Sequence, residues 1–364
     1  MSKHILTHIG SALTGGLVLL ICMPGASKRL FHDSASGSGL SKPVKKSPRA
    51  QASSPNSRSS SPSLWSRGVH ADNESLEALL DLGEIELPSR AEFMAYLAAN
   101  NHPAEGYLAA GMILQEPDLM REALERDASN PHILFALASR DEFPAADRIE
   151  WARQLQQEQP QNALASYLFA ALTWNDDAGT SPPDSLRQTE EQARFQSFTS
   201  KSMIGLSDAL QATGCDPGIA ALYATMAVNL PHLSHLLRLS GKLQAYAEHA
   251  PPREAVIARQ RNAALGSALA REKDLISQLV GLAIQGNAYA SLPPDDPLPL
   301  EGIDHEELQL SIEQRRNQIR GLADATDSLK TSPELIEGYA TRAMILGEIE
   351  ALSWLRSRTS SPTR

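Results

Sequence analysis

Valine is nearly missing from most of this 364-residue chain, occurring after Ala71 only at Val228, Val256 and Val280. Because β-branched residues populate strands, that scarcity nearly excludes a sheet. Cysteine is as sparse, with Cys22 and Cys215 the two in the chain, so no disulfide framework can hold it. With 42% hydrophobic and 21% charged residues, the composition also excludes a multi-span membrane protein. Acidic side chains are almost missing from the amino-terminal part. From Met1 to His70 nine Lys/Arg stand against Asp33 alone, whereas the remainder carries 24 basic and 42 acidic residues, so a segment of +8 precedes a body of −18. Such a body repels a phosphate backbone, and no nucleic-acid partner is expected of it.

The uncharged residues Ile9–Ala26 follow a short basic start, with Lys3, His4 and His8, and end at Lys28-Arg29. The pattern is that of a membrane-directed segment, read here as residues 1–27, either a cleaved signal peptide or an uncleaved transmembrane anchor. Proline at position 24 spoils a small-x-small cleavage site, and Ile21 before Cys22 is unlike a lipoprotein signal. Residues 28–72 are a Ser/Pro-rich basic linker: Asp33 to Ser66 holds 13 serines and four prolines, too little apolar surface to offset the entropy of ordering it. Lys42, Lys45, Lys46 and Arg49 either keep this spacer solvated or lie on an anionic lipid surface. The expected location is exported, periplasmic or otherwise extracytoplasmic, with membrane contact through residues 9–26 if they are retained.

From residue 73 the chain reads as amphipathic helices, about twelve of them. Ser89 with Glu92 makes a capping box, and Pro117, Pro144, Pro217 and Pro333 occupy first-turn positions, with Asp216 and Ser332 as caps of the last two. Within residues 73–180 there is an internal repeat. With Pro103, Pro131 and Ala163 as first positions, Tyr107, Phe135 and Tyr167 fall at the fifth and Ala110, Ala138 and Ala170 at the eighth. In a chain with 5% aromatics the fifth-position match is the informative one. Helix ends and polar turns precede the starts, at Ala123–Asn130 and Leu155–Asn162. Over about Leu87 to Asn175 these features resemble the tetratricopeptide repeat family, whose helical hairpins run to about 34 residues. Here the starts are 28 and 32 residues apart. The resemblance implies an α-solenoid with a concave face that binds proteins. The residues themselves imply packing: a small eighth residue lets helices approach, and the aromatic fills the space between successive pairs.

Residues 181–357 read as longer helices, followed by a tail at 358–364. Leu308, Ile312, Arg315, Ile319, Leu322, Thr326 and Leu329 alternate by four and three, as do Leu265, Leu269, Glu272, Ile276, Leu279 and Ala283. Both are heptad seams, interrupted by Glu272 and Arg315 and separated by the proline-rich run Leu292–Pro297. They predict an antiparallel hairpin closed by a last helix from Pro333 to about Arg356, or a continued solenoid with longer helices.

Candidate chemistry is thin. His232 and His235 are three apart on one helix, where both could face a metal or simply lie on its surface. His305-Glu306-Glu307 lacks the second histidine of a zinc-protease helix and reads as the first turn of a helix capped by Asp304. Cys215 reads as a packed thiol at a helix junction, and Asn73-Glu74-Ser75 as a sequon by pattern alone. Gly37–Lys42 is unlike a phosphate loop because no strand precedes it. No catalytic, metal or cofactor residue is assigned, and no cofactor is expected. The expected function is a non-enzymatic protein-binding scaffold with one or more protein partners. The competing expectations are self-association through the heptad helices, and an enzyme assembled around His232, His235 or Asp216 near loops 175–183 and 293–299.

Overall fold

The computed structural model describes residues 87–174, 181–189, 192, 194–290, 305–326, 328–329 and 335–359. The apolar run 9–26, the basic linker, the sequon, Gly37–Lys42, Pro333 and the break at 292–297 lie outside the described residues. The described residues belong to one compact unit, Glu84–Arg364, and are all-α, with Asn162 opposite Arg194 as an isolated bridge. None of their helices is long and apolar enough to cross a membrane.

The first half is a series of short helices: α1 (Arg90–Ala99), α2 (Ala104–Leu114), α3 (Pro117–Arg126), α4 (Pro131–Ala138), α5 (Ala145–Glu158) and α6 (Ala163–Thr173). Their starts follow from local chemistry. The Ser89 N–H donates to Glu92 Oε2 at 2.7 Å while Glu92 N–H donates to Ser89 Oγ at 3.4 Å, closing the capping box of α1. Proline opens α3 and α4, where its missing N–H costs nothing, and Pro144 sits one place earlier, as the cap of α5. Asn130 and Asn162 cap α4 and α6 by accepting backbone N–H groups two residues on.

The repeat starts therefore coincide with α2, α4 and α6, the first of these beginning one residue after Pro103. These three helices are apolar almost all round, and a helix of that kind must be covered on every side. Ala110, Ala138 and Ala170 are fully buried, and Tyr107, Phe135 and Tyr167 nearly so. On one side the cover is α3 and α5, which keep single apolar stripes, Leu119, Met120 and Ala123 on α3 and Trp151, Ala152 and Leu155 on α5. The opposite side is covered by the second half of the chain.

That second half comprises the one-turn α7 (Ser185–Gln188), α8 (Thr199–Ala212), α9 (Pro217–Ala227), α10 (Pro231–His249), α11 (Pro252–Leu269), α12 (Leu275–Ala290), α13 (His305–Ala323), α14 (Ile336–Ile345) and α15 (Glu348–Thr359). Helix α8 packs on α2, and α10 on α6. Between them, Phe135 of α4 meets Phe198 just before α8 and His232 of α10, each with ring centroids 5.2 Å away. The concave face expected of an open solenoid is thus filled by the chain's own helices.

Three local expectations need correction. The seam from Leu265 to Ala283 is not one helix: α11 ends at Leu269 and the chain reverses through residues 270–274, so α12 packs against α11 on one side and, antiparallel, against α13 on the other, where Arg315 donates to Gln278 and Gln309 to the Gly286 carbonyl. Two glycines permit the α11–α12 crossing, since a Cβ on Gly281 would stand 2.3 Å from the Ala270 nitrogen and 2.6 Å from the Gly266 carbonyl oxygen. The last helix is likewise two, α14 and α15, divided where Gly347 adopts φ +103°. Helix α15 then continues to Thr359, two residues into the expected tail. These reversals carry the helix labels past the dozen expected. The other seam does hold through α13, with Leu308, Ile312 and Ile319 buried against its neighbours.

Candidate functional site

Among the described residues lies a cleft of about 860 Å³, within the rough 300–1,000 Å³ range of ligand sites. It lies where α2, α8, the segment before α8 and the two tight turns α11–α12 and α14–α15 meet. Each wall has a local cause. Asn162 fixes the segment before α8: its amide donates to the Gln196 carbonyl at 3.0 Å and its side-chain oxygen accepts the Gln196 N–H at 3.0 Å. Ala163 N–H adds a bond to Arg194 O at 2.8 Å. The two turns are locked together because Gly347 lies against Lys273, where a Cβ would come within 2.5 Å of the lysine Cβ.

One end of the cleft carries Lys201 of α8, paired with Glu105 of α2 at 2.5 Å. Burial would raise Glu105, but Lys201 and the Asn130 amide outweigh it and hold the carboxyl below its ordinary value. His132 lies beside them, 2.8 Å from the Ser202 hydroxyl. Burial, helped by Lys201, holds His132 down to about 4, so it is neutral at pH 7.

The other end holds three carboxylates from the two turns. Glu272 accepts the Ser197 hydroxyl, and burial with the neighbouring Asp274 charge pushes it up to about 7. Asp274 caps α12 by accepting the Ser277 N–H at 2.6 Å, and burial raises it too. Glu348, on the first turn of α15, accepts the Leu275 N–H at 2.9 Å across the two turns. Burial pushes Glu348 up to about 7; Asp274 adds to the rise, while the Leu275 N–H and the Tyr339 hydroxyl oppose it. Tyr339 in turn is raised well above its ordinary value, first by burial and then by Glu348. Chemically the trio can take up protons near neutral pH or accept a cation.

The residues singled out in the sequence lie elsewhere. His232 is buried in the core against Phe135, and burial, with His235 beside it, holds it down to about 3. His235 is buried as well, its Nε2–H donating to the Ser139 carbonyl at 2.9 Å while Arg238 donates to Nδ1. They are core histidines rather than surface ones, and no group of three His, Cys, Asp or Glu among the described residues is placed to hold a metal ion. Asp216 is committed to capping α9 through Gly218 and Ile219 N–H. Cys215 is partly buried at the α8–α9 turn, and burial and Asp216 raise its thiol. Glu272 and Arg315, the polar breaks in the two seams, do not meet: Glu272 faces Ser197 and Arg315 donates to Gln278 at 3.4 Å. The helix expected at His305-Glu306-Glu307 begins at His305. Of the cleft carboxylates the sequence marks only Glu272, as a seam break, because only the tertiary fold brings it together with Asp274 and Glu348. No family model, curated protein or solved structure matches the chain.

Proposed function

We propose that the chain is a non-enzymatic scaffold of tetratricopeptide-like helical hairpins that binds a protein partner, and that residues 9–26 direct it out of the cytoplasm or hold it at a membrane. The observation that carries the reading is the cleft at the junction of the two halves, charged and apolar by turns, in a body built otherwise of packing helices. Because the inner face of the hairpins is filled by α8 and α10, the binding surface is this junction rather than an open concave face. The acidic body favours a partner with a basic or neutral surface.

Crosslinking the tagged full-length chain in cells, followed by mass spectrometry, tests the reading. A reproducible partner crosslinked near α2, α8 or the two turns is expected, and only self-crosslinks would replace the scaffold with a structural oligomer. One observation favours that second reading: Leu310 of α13 is 56% exposed, and Ile345 and Leu346 at the end of α14 are 63% and 53% exposed. A monomeric mass by light scattering at micromolar concentration would eliminate it.

A further inference from the structure

The cleft has more acid than it can neutralise. Among the described residues five carboxylates line it against three cations, and one of those cations, Lys201, is already held by Glu105 at 2.5 Å. The other two, Arg271 and Lys273, lie on the same turn and are exposed to solvent, and the Lys273 charge offsets the rise at Glu272 only in part. Asp274 and Glu272 repel one another, as do Asp274 and Glu348. Their hydrogen bonds come from Ser197, Ser277, Leu275 and Tyr339, none of them charged. Such a trio is relieved by protons or by a cation that brings its own donors.

The shape says which kind of cation. No three acidic side chains among the described residues are spaced for a metal ion, and the volume far exceeds one. Between the two charged ends the wall carries apolar side chains, Met112, Met203 and Ile204, the last left 44% exposed, beside Ser200 and Asp208. Thr199, in the first turn of α8, and Asp274 both line the cleft at 6% exposure, and the Thr199 hydroxyl and one Asp274 carboxylate oxygen are buried with no hydrogen-bond partner among the described residues. A cationic head on an aliphatic stem satisfies both walls at once, and lysine and arginine side chains have that form.

We propose that this cleft receives a lysine or arginine side chain of the partner protein, its cation among Glu272, Asp274 and Glu348 and its stem along Met203 and Ile204. The inference rests on the scaffold reading and names what that partner must present.

The test is calorimetric titration of the full-length chain with the blocked tripeptide acetyl-Leu-Arg-Leu-amide, with acetyl-Leu-Glu-Leu-amide, and with agmatine. The arginine peptide is expected to bind and the glutamate peptide not to. Affinity is expected to rise about tenfold from pH 6 to pH 8, as groups near 7 ionise, with protons released to the buffer. Glu272→Gln and Glu348→Gln, each retaining the helical circular-dichroism spectrum, are expected to weaken binding about tenfold or more. Equal binding of the two peptides, no binding at millimolar concentration, or variants within twofold of the parent would overturn the inference. Agmatine binding as tightly as the tripeptide would overturn the assignment to a partner protein and make the ligand a free amine. The two readings fail separately: a partner crosslinked elsewhere with no peptide binding sinks this inference alone, whereas peptide binding with no partner recovered from cells sinks the scaffold alone.

Discussion

Replacing Glu348 by glutamine should stabilise the protein at pH 8, although it removes a charged residue from a hydrogen-bonded position. The reason is linkage. Glu348 has an ordinary value of 4.5 and is pushed up to about 7 in the fold, so between those pH values the folded state binds more protons than the unfolded one. Stability contributed by the neutral acid is fully present below the ordinary value, falls as pH rises through the window, and is gone above about pH 7. At about 1.4 kcal/mol per unit the full shift would cost roughly 3 kcal/mol. Glu348 keeps some solvent contact, so roughly 1–3 kcal/mol is the working figure. Glutamine keeps a carbonyl oxygen for the Leu275 N–H and carries no charge to repel Asp274. Urea unfolding of parent and Glu348→Gln at pH 4, 6 and 8 measures the difference. The two should be nearly equal at pH 4, with the variant ahead by that amount at pH 8. A variant less stable than the parent at pH 8, or a gap that does not change with pH, would refute the argument.

Other perturbations test the packing. Phe135→Ala removes the ring that joins α4 to Phe198 and His232, and should cost about 3–5 kcal/mol in urea unfolding. Gly281→Ala should weaken or break the α11–α12 crossing, lowering the melting temperature by several degrees or more. Gly286→Ala in the same helix, where a Cβ meets only Ile312 at 4.0 Å, should be neutral or stabilising by about 0.5–1 kcal/mol. Asn162→Ala should cost about 1–3 kcal/mol by orphaning the backbone groups of the segment before α8, and should make residues 194–198 a new site of limited proteolysis.

The first half was readable because its information is local. Proline, asparagine and serine set the starts of α1, α3, α4 and α6, and the aromatic-alanine pair at the fifth and eighth positions marks helices covered on two sides. What the sequence could not say is what covers them. Phe198 and His232 meet Phe135 from 63 and 97 residues away, and no period in the chain encodes that pairing. The broken seam had a local sign that heptad reading overrode: Glu272 stands where a seam wants an apolar side chain, and it stands there because the helix has already ended. Gly347 was a similar stop signal, missed inside an otherwise helical stretch. Nothing in the sequence marked the carboxylate trio as a cluster: Glu272 stood out only as a break in a seam, while Asp274 and Glu348 fall inside stretches read as continuous helix and take their places only once those helices turn.

The pairing of inner and covering helices also limits how this protein can change in length. An open helical array gains or loses a hairpin at little cost, because each unit touches only its neighbours. Here α2 is matched to α8 and α6 to α10, with α4 sharing both lids. An added hairpin in the first half would expose an apolar helix with no counterpart, and a deletion would strand a lid. Duplication, the usual route by which such arrays grow, is closed to it unless both halves lengthen together.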